Sequence, residues 1–214
     1  MKTTILFDLD GTLIDSTEAI VESFRHSLQK HGELRDVSDT MITSQIGHTL
    51  ETMFAAAGVA PESIEKHVSA YKLYYREISR QKTVLLPNAV EAIREASAFA
   101  RLGIVTTKTG LYSRELMEYF GVMGYFEVLI GREHVENPKP HPEPIEKALG
   151  EMKAAKESAW MIGDTRLDIE ASNRAGIGSV AVISGYDNLE QLLTLTDIIK
   201  PDALEAVRYI AKRG

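Results

Sequence analysis

Apolar residues fall along this chain in two rhythms. The opening run Thr3-Thr4-Ile5-Leu6-Phe7 is β-branched and continuous, and it stops abruptly at Asp8-Leu9-Asp10-Gly11-Thr12. That pattern predicts a buried strand opening into a turn. From about Ser16 to Gln81 no strand pattern occurs. Apolar positions recur there at helical spacing, as at Ala19-Ile20, Phe24 and Leu28, with breaks at His31-Gly32, Ile46-Gly47 and Gly58 to Pro61. Ser16 is expected to cap the first of these helices. Pro61 fits the first turn of the last long one, which carries Tyr71, Tyr74 and Tyr75.

After Leu85-Leu86-Pro87-Asn88 the two rhythms alternate. A helix over 89–100 precedes a strand over 103–106, and a helix over 112–120 precedes a strand over 126–130. Helices over 142–152 and 168–175 precede strands over 159–162 and 179–183. A short strand and a closing helix are expected between Asp197 and Gly214. Short apolar runs recurring between amphipathic helices predict an α/β fold, a doubly wound parallel sheet covered on both faces. The first strand must share that sheet with the later ones. The expected domains are therefore an α/β core of residues 1–15 and 82–214 and an inserted helical domain of residues 16–81, with no internal repeat.

Composition narrows the function. Among 214 residues, 24 are basic and 31 acidic, a formal charge of −7. That argues against nucleic acid as a partner, because such binding draws on a basic face that releases counterions. With no cysteine in the chain, disulfides, thiolate metal sites and thiol catalysis are excluded. The apolar run near the N-terminus is too short for a signal peptide, and no stretch is long enough for a membrane span. A cytoplasmic monomer or homodimer is expected.

In an open parallel sheet, ligands bind at the carboxyl ends of the strands. The polar residues that follow each predicted strand are Asp8 and Asp10, then Thr106, Thr107 and Lys108, then Asp164 with Asp168 four residues on. The loop after the 126–130 strand adds Asn137-Pro138-Lys139-Pro140-His141-Pro142. Clustered carboxylates repel unless a cation sits among them, and oxygen-only ligation suits a hard one such as Mg²⁺. A carboxylate at Asp8 can attack phosphorus, Lys139 can supply a fixed cation, and Thr106 can donate to a phosphate oxygen. Each feature alone is ordinary turn or cap chemistry; together they place four features at one sheet end. By contrast, Gly176-Ile177-Gly178-Ser179-Val180-Ala181 fits a dinucleotide fingerprint with the wrong flanks, a helix before and a strand after, and reads as turn glycines.

These residues carry a resemblance. Phe7-Asp8-Leu9-Asp10-Gly11-Thr12-Leu13 resembles the first motif of the haloacid dehalogenase superfamily, Thr106 its second, Lys139 its third, and Gly163-Asp164-Thr165-Arg166-Leu167-Asp168 its fourth. The helical insertion resembles the α-helical cap of the phosphoglycolate phosphatase and β-phosphoglucomutase branch. The resemblance implies a Mg²⁺-dependent phosphatase of a small phosphorylated metabolite, working through an aspartyl-phosphate. Asp8 is then the nucleophile and Asp10 the general acid/base, while Thr106 and Lys139 hold the phosphoryl group. Asp8, the Asp10 backbone carbonyl and Asp164 are the implied metal ligands. Asp168, Gly11 and Thr107 support the site, and Gly47, His48 and Thr49 match the branch's specificity loop. Asp10 favours phosphoryl chemistry over dehalogenation. Ile20, where β-phosphoglucomutases carry a cap histidine, counts against a mutase. Inorganic pyrophosphatase is the alternative enzyme, and a phosphate-sensing binding protein the alternative from another class.

Overall fold

The computed structural model describes residues 2–32 and 37–213, so the expected terminus at Gly214 lies outside the described residues. The chain divides into two compact units, Met1–Asp15 with Leu85–Gly214, and Ser16–Val84. In chain order the elements are β1 (Thr3–Phe7), β2 (Ile14–Asp15), α1 (Thr17–Lys30), α2 (Asp39–Thr43), α3 (Leu50–Ala56), α4 (Ile64–Lys82) and β3 (Val84–Leu85). There follow α5 (Ala89–Phe99), β4 (Ala100–Val105), α6 (Gly110–Tyr119), β5 (Phe126–Ile130) and α7 (Glu143–Met152). The chain continues through β6 (Ala159–Gly163), α8 (Arg166–Ala175), β7 (Gly178–Val182), α9 (Leu189–Leu193), β8 (Ile199–Lys200) and α10 (Ala203–Ala211).

The first unit is built on a six-stranded parallel sheet in the order β5-β4-β1-β6-β7-β8. Side chains alternate across a strand, and the N-terminal strand shows what that does here. Ile5 and Phe7 enter a core with Ala92 and Ile93 of α5 and Val207 and Ile210 of α10. Leu6 points to the other face, into a core with Ile145 and Leu149 of α7 and Ala171 of α8. Both faces are thus covered, and a continuous apolar strand has somewhere to bury every residue. β1 lies between β4 and β6, with Phe7 in register with Ile104 on one side and Ile162 on the other. The chain order reverses around β1, the position where ligand sites form in such sheets.

The second unit is helical. α1 packs on α4, and its core contains Phe24 and Phe54, stacked at 4.2 Å between ring centroids. Tyr71 and Tyr75 are buried and stacked on one another, while Tyr74 donates to Glu22 at 2.7 Å. Pro61 opens a 3₁₀ turn that leads straight into α4. Ser16 stands at the N-cap position of α1 but makes no capping hydrogen bond. Its backbone, at φ −114° and ψ 15°, lacks the extended geometry that lets a cap side chain reach back to the first turn. The second crossing comes at Val84 and Leu85, just after α4, which runs unbroken to Lys82.

Other boundaries shift by a residue or more, most of all at β4. β4 begins at Ala100, ahead of the expected 103, and ends at Val105, which leaves Thr106 in the loop beyond it. α9 was not expected. Asn188 caps it, accepting from the backbone N–H of Gln191 at 2.9 Å, but five residues are too few to show a helical period.

Candidate active site

The three central strands end side by side, and each delivers one acidic or hydroxyl side chain. Asp8 follows β1, Thr106 follows β4 and Asp164 follows β6; all are buried. At two of them the backbone continues the sheet for one more step, with Asp8 N–H donating to the Ile162 carbonyl and Thr106 N–H to that of Ile130. That fixes where the side chains start. The expected site residues Asp8, Asp164, Asp168 and Lys139 come together in one cluster, and Asp10 and Thr106 flank it.

Lys139 arrives from the loop before α7. Its Nζ donates to Asp8 Oδ1 at 2.9 Å, to Asp168 Oδ1 at 2.5 Å and to the carbonyl of Val105 at 3.1 Å. An ammonium has three donors, and all three are used. Burial alone would lower the Lys139 pKa, but the adjacent Asp168 and Asp8 carboxylates outweigh it and hold the lysine charged, well above its ordinary range. Asp168 is held in turn by Thr165, whose N–H and hydroxyl donate to its Oδ2 at 3.1 and 2.7 Å. Asp168 therefore orients the lysine and caps α8 with the same carboxylate.

Asp164 is fully buried. It accepts from the Thr12 hydroxyl at 2.8 Å and from the Tyr186 N–H at 2.9 Å. Two glycines make room for it. A Cβ on Gly11 would lie 2.3 Å from Asp164 Oδ2, and one on Gly185 would lie 1.9 Å from it. Gly11 also has φ +82°, a conformation that favours glycine. The loop after β7 closes this cradle, with the Ser184 hydroxyl donating to the carbonyl of Gly11 at 2.8 Å.

The electrostatics of the cluster call for a cation. Burial pushes Asp8 up to about 7, against the pull of Lys139 and with the charges of Asp168 and Asp10 adding to the rise. Burial likewise pushes Asp164 well above the carboxylate range, aided by the charges of Asp8 and Asp168. Oxygens of Asp8, Asp164 and Asp168 lie within 4.8 Å of one another, three carboxylates facing one lysine. The formal deficit is that of a divalent ion. The donors are all oxygens, so a hard cation of the Mg²⁺ class fits them. Asp168 is committed to Lys139 and Thr165, which leaves Asp8 and Asp164 as the carboxylates able to hold a metal. The Asp10 carboxylate lies outside this cluster and pairs with Lys108, 3.0 Å from each of its oxygens.

The supporting residues divide. Gly11 shapes the Asp164 cradle. Thr107 is half-buried beside Thr106, whose hydroxyl oxygen accepts from the Lys108 N–H at 3.2 Å. Gly47 (φ +102°), half-buried His48 and buried Thr49 belong to the helical unit. Thr49 caps α3, accepting from the Thr52 N–H at 3.4 Å. Reading polar residues off strand ends passed over Thr12, Thr165, Glu143 and the Ser184–Gly185–Tyr186 loop. The last follows β7, and the same rule applied to that strand would have reached it. Glu143 opens α7 and accepts from the N–H groups of Glu136 and Asn137, each at 2.9 Å, which folds the loop that presents Lys139.

The family model for haloacid dehalogenase-like hydrolases matches residues 5–182. The chain belongs to that family. Among its relatives is "Pyrophosphatase PpaX" of Anoxybacillus flavithermus, 34% identical over 196 residues, covering 89% of this chain and 88% of that protein. A solved haloacid dehalogenase-like family hydrolase from Streptococcus pneumoniae is 29% identical, with a TM-score of 0.86 over 97% of this chain and 98% of that one. The fold is also that of a chain titled "predicted phosphoglycolate phosphatase" from Haemophilus somnus, at 24% identity and a TM-score of 0.88 over 97% of both chains. The protein is thus a phosphatase-type haloacid dehalogenase-like hydrolase on a parallel α/β sheet. Among the described residues no helix is long and apolar enough to cross a membrane.

Proposed function

We propose that the protein is a Mg²⁺-dependent phosphatase of a small phosphorylated metabolite that forms an aspartyl-phosphate on Asp8. The observation that carries this reading is Lys139 buried between Asp8 and Asp168, with Asp164 beside them. Phosphoryl transfer needs charge neutralisation and in-line placement more than covalent machinery. Asp8 presents one oxygen to Lys139, which holds its carboxylate in a fixed direction for attack. Lys139, rigidly paired and always charged, neutralises the arriving phosphoryl oxygens, and Thr106 adds a hydroxyl donor at the neighbouring strand end. Asp10 protonates the leaving group and then takes the proton of the water that hydrolyses the acyl phosphate. A metal held by Asp8, Asp164 and the Asp10 carbonyl would screen the repulsion between a phosphate dianion and these carboxylates.

The unit Ser16–Val84 acts in this reading as the cap that selects the substrate, through Gly47, His48 and Thr49. A second reading, inorganic pyrophosphate as the substrate, is favoured by the name of the 34% identical relative. The phosphatase reading is tested with an aryl phosphate, with Mg²⁺ and with EDTA. Turnover that requires Mg²⁺ is expected; full activity in EDTA, or none with Mg²⁺, contradicts it. For the cap, His48→Ala should change relative kcat/KM among metabolites far more than turnover of the aryl ester, and an equal loss on all of them contradicts that role.

A further inference from the structure

The loop that presents Lys139 is poor in hydrogen-bond donors of its own. Pro138, Pro140 and Pro142 alternate through it, and a proline has no N–H to give. Its internal bonds are short in range: the His141 N–H donates to the Pro138 carbonyl at 2.9 Å, and the Glu143 N–H to His141 Nδ1 at 3.1 Å. Glu143 anchors the start of the loop through the N–H groups of Glu136 and Asn137. Past Lys139 an anchor comes from another element. Arg174 of α8 donates from Nη1 to the Pro140 carbonyl at 2.6 Å, and its Nη2 donates to Glu170 Oε2 at 2.8 Å.

This one helix therefore grips the loop twice. Asp168, in the first turn of α8, takes the Lys139 Nζ, and Arg174, in the last turn, takes the backbone carbonyl of the next residue. Asp168 aims the ammonium; Arg174 sets where the lysine side chain starts. A buried lysine whose three donors are all engaged cannot absorb a shift of its backbone without losing one of them. The ion pair with Glu170 is a lesser contact, because Arg174 is 50% exposed and surface pairs of this kind contribute little. Misplacing a catalytic group by about 1 Å, in contrast, can cost on the order of 100-fold in rate.

We propose that Arg174 is a positioning residue for phosphoryl transfer, holding Pro140 so that Lys139 meets Asp8 and the arriving phosphoryl group. The inference rests on the role given to Lys139 above and extends it to a residue on the far side of the loop. Arg174 acts through Lys139 and has no contact of its own with the reacting atoms.

The test measures kcat and KM for an aryl phosphate, with Mg²⁺, in the wild type, Arg174→Ala, Arg174→Lys, Glu170→Gln and Lys139→Met. Arg174→Ala should remain folded by circular dichroism and lose at least ~5-fold in kcat, a fraction of what full misplacement costs. Arg174→Lys, which keeps a donor for the Pro140 carbonyl, should retain most of the wild-type rate. Guanidinium ion at millimolar concentration should raise the kcat of Arg174→Ala and leave the wild type unchanged. Glu170→Gln, which removes the ion pair and leaves the Pro140 bond, should match the wild type. A wild-type kcat in Arg174→Ala overturns the inference. A loss that neither lysine nor guanidinium repairs, or that Glu170→Gln shares, makes Arg174 a support of α8 alone and also overturns it. A wild type inert toward the ester, or Lys139→Met as active as the wild type, would instead overturn the role given to Lys139 itself.

Discussion

Two aspartates separated by a single leucine sit in different surroundings. Both are buried, but Asp8 meets Lys139, while Asp10 turns to Lys108. The roles proposed for them separate experimentally. Asp10→Asn should slow turnover most for substrates with poor leaving groups and least for those whose leaving group is already a stable anion, since only the former need a proton. Rates measured over aryl phosphates of graded leaving-group pKa check this; an equal loss across the series contradicts an acid role. Much at this scale was legible in the sequence, because a carboxylate directly after an apolar strand advertises itself. Lys108 was visible in the same way, but nothing in the order of residues says that a lysine after the fourth strand reaches an aspartate after the first. Such pairings depend on strand order, and β4 lies beside β1 only in the folded sheet.

The elements that matter most are the loops after the strands, and they differ in how openly the sequence declares them. The first and fourth motifs are contiguous and were readable as they stand. The Ser184–Gly185–Tyr186 loop was not, because its contribution is a backbone N–H and the absence of a side chain. Gly185→Ala tests it. A Cβ placed 1.9 Å from Asp164 Oδ2 must displace the carboxylate or the loop. The Mg²⁺ concentration giving half-maximal activity should rise at least ~10-fold, with stability falling by about 1–3 kcal/mol as is usual for overpacking. An unchanged Mg²⁺ requirement in a folded variant contradicts the role given to this loop. Element boundaries slipped for related reasons. Gly110 and Leu111 belong to α6 because Glu133 accepts their N–H groups at 2.8 and 3.2 Å, a cap supplied from more than twenty residues away that no local pattern reveals.

At the scale of the whole molecule, the sheet holds like charges together that would separate in the unfolded chain. Asp8 and Asp164 have pKa values raised by folding, Asp8 to about 7 from 3.8. A carboxylate with a raised folded-state pKa contributes stability that is present below its unfolded value and is lost as pH climbs through the folded one. The metal-free protein should therefore lose stability from these two groups as pH rises from about 4 toward 7 and beyond. A divalent ion bound to both carboxylates removes that penalty and gains affinity as they deprotonate. The increase in Tm produced by a fixed Mg²⁺ concentration should accordingly be larger at pH 8 than at pH 5.5, a difference read by thermal melts. An equal or smaller increase at the higher pH contradicts a metal site built on Asp8 and Asp164.

The proposed function turns on one bond, that between Asp8 and phosphorus. It can be seen directly. Acyl phosphates survive acid, so enzyme quenched in acid during turnover of a good substrate with Mg²⁺ should carry the mass of one added phosphoryl group on the peptide spanning Asp8. The same quench of Asp8→Asn should show none, and its steady-state rate should fall by at least ~10³-fold, as expected when a nucleophile is removed. Substantial turnover retained in Asp8→Asn, or the phosphoryl mass found on a different peptide, would contradict Asp8 as the nucleophile.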